Sequence, residues 1–325
     1  MIEILSTGAV NSVQDLGRTG YLDAGAGRSG AMDTPALEIA NLLVGNDRDA
    51  AGIEIALFPF RLRFERDTIF ALAGADCPAR IGDREVPGWW VTNATAGEVL
   101  TLGLPRFGAR AILAFQGGID VPRVLGSRST DLKSAFGGLE GRGFQRGDRL
   151  PLIEVPRRQL RIEAGFGADP SQLRGVVTSK DEPIVLRVLP SAEHDVFTAA
   201  AISCFFDADW SITNDANRMG YRLSGPDLQL TRKLELFSHG IMPGTVQVPP
   251  NGQPIIQLAE ANTCGGYPKI ANVIEADLWK LAQAPVGARL RFEMTDRDTA
   301  VAALAKERAF MTDLAAAASL MRGWM

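Results

Sequence analysis

The residues best suited to chemistry lie in the stretch 243–283, PGTVQVPPNGQPIIQLAEANTCGGYPKIANVIEADLWKLAQ. An apolar run (Ile255, Ile256, Leu258, Ala259) reads as a buried strand with Glu260 at its end, facing a polar turn that leads into Cys264-Gly265-Gly266-Tyr267-Pro268. Pro268 suits a first helical position, and Ile270, Val273, Ile274, Leu278 and Leu281 recur at helical spacing, which predicts an amphipathic helix. Two glycines before a helix let the backbone approach a ligand, and the free N–H groups of the first turn favour an anion. That pattern is a seat for a carboxylate or phosphate; the other reading is a strand-to-helix turn in which the glycines only relieve crowding. Glu260 is the candidate for acid–base work or for orienting a polar ligand, and Asp76 holds a comparable strand-end position in the first half. Cys264 reads either as a thiolate with a lowered pKa at the helix start or as a small buried side chain in a tight turn, with no histidine nearby in sequence to serve as base.

A second pair of candidates comes from self-similarity. Asp15-x-x-Arg18-x-Gly20-Tyr21-x-x-x-Gly25 recurs as Asp215-x-x-Arg218-x-Gly220-Tyr221-x-x-x-Gly225. Weaker echoes keep the same order, Gly117-Gly118 against Gly265-Gly266 and Gly147-x-Arg149-Leu150 against Gly287-x-Arg289-Leu290, so the chain reads as two copies of one β-rich unit. Arg18 and Arg218, each beside a Gly-Tyr turn, either present a planar fork to the carboxylate of a small anionic substrate or pin their loops by salt bridges to Asp15 and Asp215.

Other chemistries find no support. Gly126-Ser127-Arg128-Ser129-Thr130 lacks the second glycine of a nucleophile elbow and reads as a polar turn able to hold an anion. Gly165-Phe166-Gly167 meets Pro170 where a dinucleotide fingerprint needs glycine, and there is no phosphate-binding G-x-x-x-x-G-K-[ST]. The two histidines, His194 and His239, have no partners at metal spacing, so no metal is expected. Three cysteines form no disulfide framework. A net charge of -4 without basic runs argues against nucleic acid. No stretch reads as a signal peptide or a bilayer span, so the expected location is the cytoplasm.

These side chains need a frame. With 46% hydrophobic and 22% charged residues over 325 positions, the chain supports two cores. Thr34-Pro35 predicts a helix through about Val44, closed by Gly45-Asn46. Apolar runs at about 53–58, 61–65, 68–73, 97–103 and 109–115 predict strands spaced as in a barrel or sandwich. The second half predicts a strand from Ile184 to Leu189, a helix around 192–204, a final strand from Leu290 to Met294, and an Ala-rich helix started by a Thr295-x-x-Asp298 capping box. The expected division is a first half at 1–160, a linker at 161–182, a second half at 183–294 and a C-terminal helix at 295–325.

The runs VQDLGRTGY, SGAMD, LVGN, GGIDVP with LGSRST, NRMGYRLSGP, GTVQVPPNGQP and GGYPKIANVIEADL resemble the allophanate hydrolase subunit 2 family, in order, from about Leu5 to Phe292. The family includes the C subunit of prokaryotic ATP-dependent 5-oxoprolinase, the KipA antagonist of the kinase inhibitor KipI, and the carboxyltransferase half of urea carboxylase. The resemblance implies a mainly β chain of two cyclophilin-like β-barrel domains with a few short helices and a C-terminal helix. It also implies two partners, a KipI-like sister B subunit and a LamB/YcsF-like A subunit. With them, ATP held by a partner would open the lactam of 5-oxoproline to glutamate, and this chain would hold no cofactor tightly. Two alternatives come with it: a carboxyltransferase component using carboxybiotin, its biotin carrier encoded elsewhere, and a non-catalytic partner of a KipI-like protein. A homodimer is compatible with each.

Motif membership carries over to Gln14, Asp15, Arg18, Arg218, Gly265, Gly266 and Tyr267 as substrate-binding candidates, with Glu260 and Arg218 the catalytic candidates. Glu260-Ala261-Asn262-Thr263-Cys264 departs from the Asp-x-Gln-Thr-Thr of similar sequences. The longer acid and shorter amide shift reach by about an ångström, enough to alter substrate choice.

Overall fold

Short apolar runs, many of them cut off by glycine or proline, become strands in the computed structural model, which describes residues 1–156, 160, 164–173 and 182–322. Of the expected linker, 161–163 and 174–181 lie outside the described residues. The chain divides into two compact units: 1–19, 29–176 and 307–325 form the first, and 20–28 with 177–306 the second.

The first unit contains two six-stranded sheets. One runs in the order Arg149–Leu150, Ile2–Ser6, Phe60–Phe64, Val99–Leu102, Ala79–Ile81, Arg84–Glu85; the other in the order Phe166–Gly167, Trp90–Ala94, Thr68–Asp76, Phe107–Phe115, Gly52–Ile55, Ser12–Gln14. Phe60–Phe64 alternates buried and exposed residues, as a strand with one wet face must, whereas Thr68–Asp76 and Phe107–Phe115 are buried on both faces over most of their length. Inward residues of both sheets (Ile4, Leu62, Phe70, Leu72, Leu113, Phe115) share one core. The outer face of the second sheet is covered by the helix Thr34–Val44, whose Leu37, Ile39, Ala40 and Leu43 join Ala71, Ile112 and Ala114 in a second core. This helix is capped by Asp33, whose Oδ1 accepts from Ala36 N at 3.1 Å, and ends on a left-handed Gly45, as the sequence predicts within one residue.

The second unit is a closed barrel of seven strands, in the order Ile184–Pro190, Lys269–Val273, Thr245–Gln247, Ile255–Gln257, Gly220–Ser224, Trp210–Ile212, Arg289–Met294. Parallel pairing of Ile184 with Leu290 through Val188 with Met294 closes it. The helix Ala199–Asp207, started by Thr198, lays Phe205 flat on Phe292 with ring centroids 4.2 Å apart. It begins later than the predicted 192–204, because 194–196 form a short 3-10 turn first.

Two expected elements are corrected. After Pro268 the chain forms the strand Lys269–Val273, then a 3-10 turn and only the short helix Leu278–Gln283. The strand is buried on both faces and carries Ile270, Ala271 and Val273 alongside the polar Lys269 and Asn272, so Ile270 and Val273 mimicked helical spacing. The last helix, Arg297–Arg322, is capped by Asp296, which accepts from Thr299 N at 2.7 Å, rather than by Thr295. Its residues Met311 and Ala318 are buried in the first unit's second core. The repeat also differs between copies: Tyr221 is buried within Gly220–Ser224, whereas the residues after Gly20 form turns.

Candidate functional site

In the second unit the antiparallel pairing of Gly220 with Gln257 continues past the strand ends as Leu258 N to Met219 O (3.0 Å) and Glu260 N to Arg218 O (2.8 Å). That register brings the two catalytic candidates side by side: Arg218 Nε donates to Glu260 Oε1 at 2.6 Å, with side chains only 7% and 3% exposed. Arg218 therefore pairs with Glu260 rather than with Asp215.

Next to this pair the barrel carries a buried polar row. Gln257 Nε2 donates to Gln247 Oε1 at 2.9 Å, and Gln247 Nε2 is buried without a hydrogen-bond partner. Lys269 is the register partner of Gln247, and its Nζ lies 3.1 Å from Glu193 Oε2; Glu193 Oε1 is 3.8 Å from His239 Nε2. Gln247, Gln257 and Lys269 are all more than nine-tenths buried. Over Gln247 lies a two-strand flap, His239–Gly240 paired with Cys264–Gly265.

Gly265 and Gly266 do not start a helix, so the helix-terminus anion seat is withdrawn, and with it the helix-lowered thiolate at Cys264, which is exposed on the flap. What demands glycine is close approach. A Cβ on Gly265 would sit 2.7 Å from Gln247 Nε2, and one on Gly266 2.9 Å from Leu236 O. Tyr267, next along, is half exposed.

Chemically, the row offers a desolvated amide donor and an ammonium held by a carboxylate. Both suit a carbonyl or carboxylate oxygen, and both act more strongly out of water. Sequence reasoning missed Gln247, Gln257, Lys269 and Glu193. The available signal was a glutamine at the end of each of two apolar strands, TVQ and IIQ, where a hydrophobic residue belongs.

The first unit holds Gln14, Asp15 and Arg18. The Asp15 carboxylate takes four donors: Gly17 N (2.8 Å), Ser127 Oγ (2.6 Å), Ser129 Oγ (2.5 Å) and Arg128 N (2.5 Å). The polar turn at 126–130 is thus an anion nest whose anion is the protein's own Asp15. Gln14 Nε2 donates to Ser12 Oγ (3.0 Å) and Thr130 O (3.1 Å). Arg18 donates to Ser129 O at 2.6 Å and stacks its guanidinium 4.5 Å from the centre of the Phe136 ring, instead of pairing with Asp15. All three candidates latch the 127–130 segment from beneath.

Residues 24–294 match the family model described as carboxyltransferase domain, subdomain A and B. The chain belongs to the carboxyltransferase domain family. Arg218, Glu260 and the flap glycines lie inside the span matched to that family, and Gln14, Asp15 and Arg18 just before it. Among curated carboxyltransferase-domain relatives, the C subunit of 5-oxoprolinase from Escherichia coli is 43% identical over 315 residues, covering 97% of this chain and 98% of that protein. The protein of the same name from Haemophilus influenzae is 40% identical, covering 90% of this chain and 91% of its own. The fold matches the crystal structure of Kluyveromyces lactis urea carboxylase with a TM-score of 0.88 and 29% identity, over 96% of this chain but 29% of that one. The mainly β architecture expected from the resemblance is therefore the family's own, and both curated relatives bear the name of one component of a multi-subunit enzyme.

Proposed function

We propose that this chain is the C subunit of a heteromeric 5-oxoprolinase, in which ATP hydrolysis drives addition of water across the lactam C–N bond of 5-oxoproline to give glutamate. The observation that carries this reading is the end-to-end similarity to two proteins named as the C subunit of 5-oxoprolinase. The chemistry of the second unit supports it. 5-Oxoproline presents a carboxylate and a cyclic amide, and the unit holds a buried amide donor at Gln247 beside the Lys269–Glu193 ion pair.

In this reading the Gln247 amide addresses the lactam carbonyl and Lys269 the carboxylate. Movement of the 239–240 and 264–265 flap admits the ring; Gly265 and Gly266 let it close and Tyr267 covers it. The Arg218–Glu260 pair fixes the turn after Gln257 to the turn before its register partner Gly220, a positioning role that keeps both residues in the machinery. The Asp15, Gln14 and Arg18 latch does the same for the 127–130 segment. ATP would reside on a partner protein, where it supplies phosphoryl activation of the amide oxygen. The partners in this proposal are a KipI-like B subunit and a LamB/YcsF-like A subunit, and the assembly works in the cytoplasm.

The test is omission. The three proteins are purified, combined with and without this chain, and assayed for glutamate released from 5-oxoproline with and without ATP. Turnover should need all three proteins and ATP; undiminished turnover without this chain rules the reading out. A second reading, a carboxyltransferase component that passes a carboxyl group from carboxybiotin to urea, is favoured by the likeness to urea carboxylase over nearly the whole chain.

A further inference from the structure

The first unit carries a cleft that none of this chemistry uses. Its volume is about 350 Å³, and Asp47, Asp49, Arg123 and Arg128 line it together with Ile153 and Val155. That size lies at the small end of ligand pockets, roughly 300–1,000 Å³.

The charges in it are unusual in how they are spent. Arg128 is held by its backbone, whose N–H donates to the Asp15 carboxylate at 2.5 Å. Its guanidinium makes one long contact, 3.4 Å to Asp120, and its Nε is buried with no hydrogen-bond partner. Arg123 is exposed, and among the described residues no carboxylate lies within 4.0 Å of it; Asp47 and Asp49 likewise have no cation within that distance. Arg128 thus spends its one ion pair on Asp120, outside the lining, and among the described residues no ion pair joins the cleft's two arginines to its two aspartates. A simple anion would satisfy the arginines and be repelled by the aspartates, and a simple cation would do the reverse. A ligand bearing one charge of each sign satisfies both sets, and guanidinium groups favour carboxylate as the anionic end.

We propose that this cleft binds a free amino acid as its zwitterion, the carboxylate on Arg123 and Arg128, the ammonium on Asp47 and Asp49, and the side chain against Ile153 and Val155. The proposal goes beyond the reaction assigned to the second unit and does not depend on it.

Calorimetric titration of the full chain with L-alanine, L-leucine, L-glutamate and L-lysine tests it, each paired with the carboxylic acid that lacks the α-ammonium. At least one amino acid should bind saturably and its deaminated partner at least ~10-fold more weakly, since a charge-assisted contact is lost. Arg123→Gln, an exposed change that leaves the fold intact, should weaken binding by the same factor. Asp47→Asn combined with Asp49→Asn should bring the amino acid down to its deaminated partner. Absence of saturable binding by all four, equal binding of an amino acid and its deaminated partner, or unchanged affinity in Arg123→Gln overturns the proposal. Glutamate release by the assembled complex, run on the same preparations, reports separately on the lactam reaction.

Discussion

Replacing Glu260 with alanine is the most informative single perturbation of the second unit. Arg218 and Glu260 are bonded at 2.6 Å with side chains 7% and 3% exposed, so water cannot take over the role of the missing carboxylate. Removing one member of such a buried pair costs about 3–5 kcal/mol, because the remaining charge stays desolvated. At ~2–4 °C per kcal/mol for a unit of this size, the melting temperature should fall by about 6–20 °C. Differential scanning calorimetry of the isolated chain measures it, with the double variant Arg218→Met/Glu260→Leu as the control. Two apolar residues of similar volume carry no desolvation penalty, so the double variant should recover most of the loss. A Glu260→Ala protein that melts within about 1 °C of the parent refutes the buried pair. If the double variant recovers its melting temperature and the assembled complex also recovers turnover, the pair is only a prop; recovered stability with lost turnover is the outcome expected of a pair that positions the site.

Three further outcomes follow from other elements. Asp296→Ala should lose about 1 kcal/mol of unfolding free energy and Thr295→Ala less than ~0.5, because Asp296 accepts from Thr299 N; equal losses in urea melts would remove the cap from Asp296. Burial raises the Asp277 pKa, but the paired hydrogen bonds from Arg187 and the charge of Lys280 outweigh it, and the carboxyl titrates below its ordinary 3.8. A depressed folded pKa means stabilisation that is present above 3.8 and lost as pH falls through the folded value, so the stability gap between parent and Asp277→Asn should shrink as pH drops below 3.8; a gap of constant size contradicts this. Burial pushes the Cys77 thiol up to about 12 while Cys264 is exposed, so iodoacetamide at mildly alkaline pH should label Cys264 first and Cys77 only on unfolding, and Cys264→Ser should abolish the fastest labelling phase.

Where sequence and structure agree, a local signal was also the energetic one. Thr34-Pro35 and Gly45 bracket a real helix because proline at the start and a left-handed glycine at the end are satisfied within a few residues of chain. The β-rich spacing of the first half survived for the same reason, since most of its strands stop within a few residues of a glycine or proline. The stretch after Pro268 failed because Lys269–Val273 is paired on both sides within a closed barrel, by Thr245–Gln247 and by Ile184–Pro190, and non-local ladders override local periodicity. Arg18 and Arg218 share a motif but not a partner: a carbonyl and an aromatic ring for one, a carboxylate for the other. Glu260 was legible from its strand-end position. The Gln247 and Lys269 row was not, because its meaning lies in burial, and burial is a property of the closed barrel.

The most direct test of the central claim sets the two family chemistries against each other in one preparation. The purified assembly containing this chain is given 5-oxoproline with ATP, and in parallel urea with carboxybiotin, and both products are quantified by mass spectrometry. Glutamate accumulating in proportion to ATP consumed, with no carboxylated urea, is the expected result. Carboxylated urea without glutamate would contradict the account.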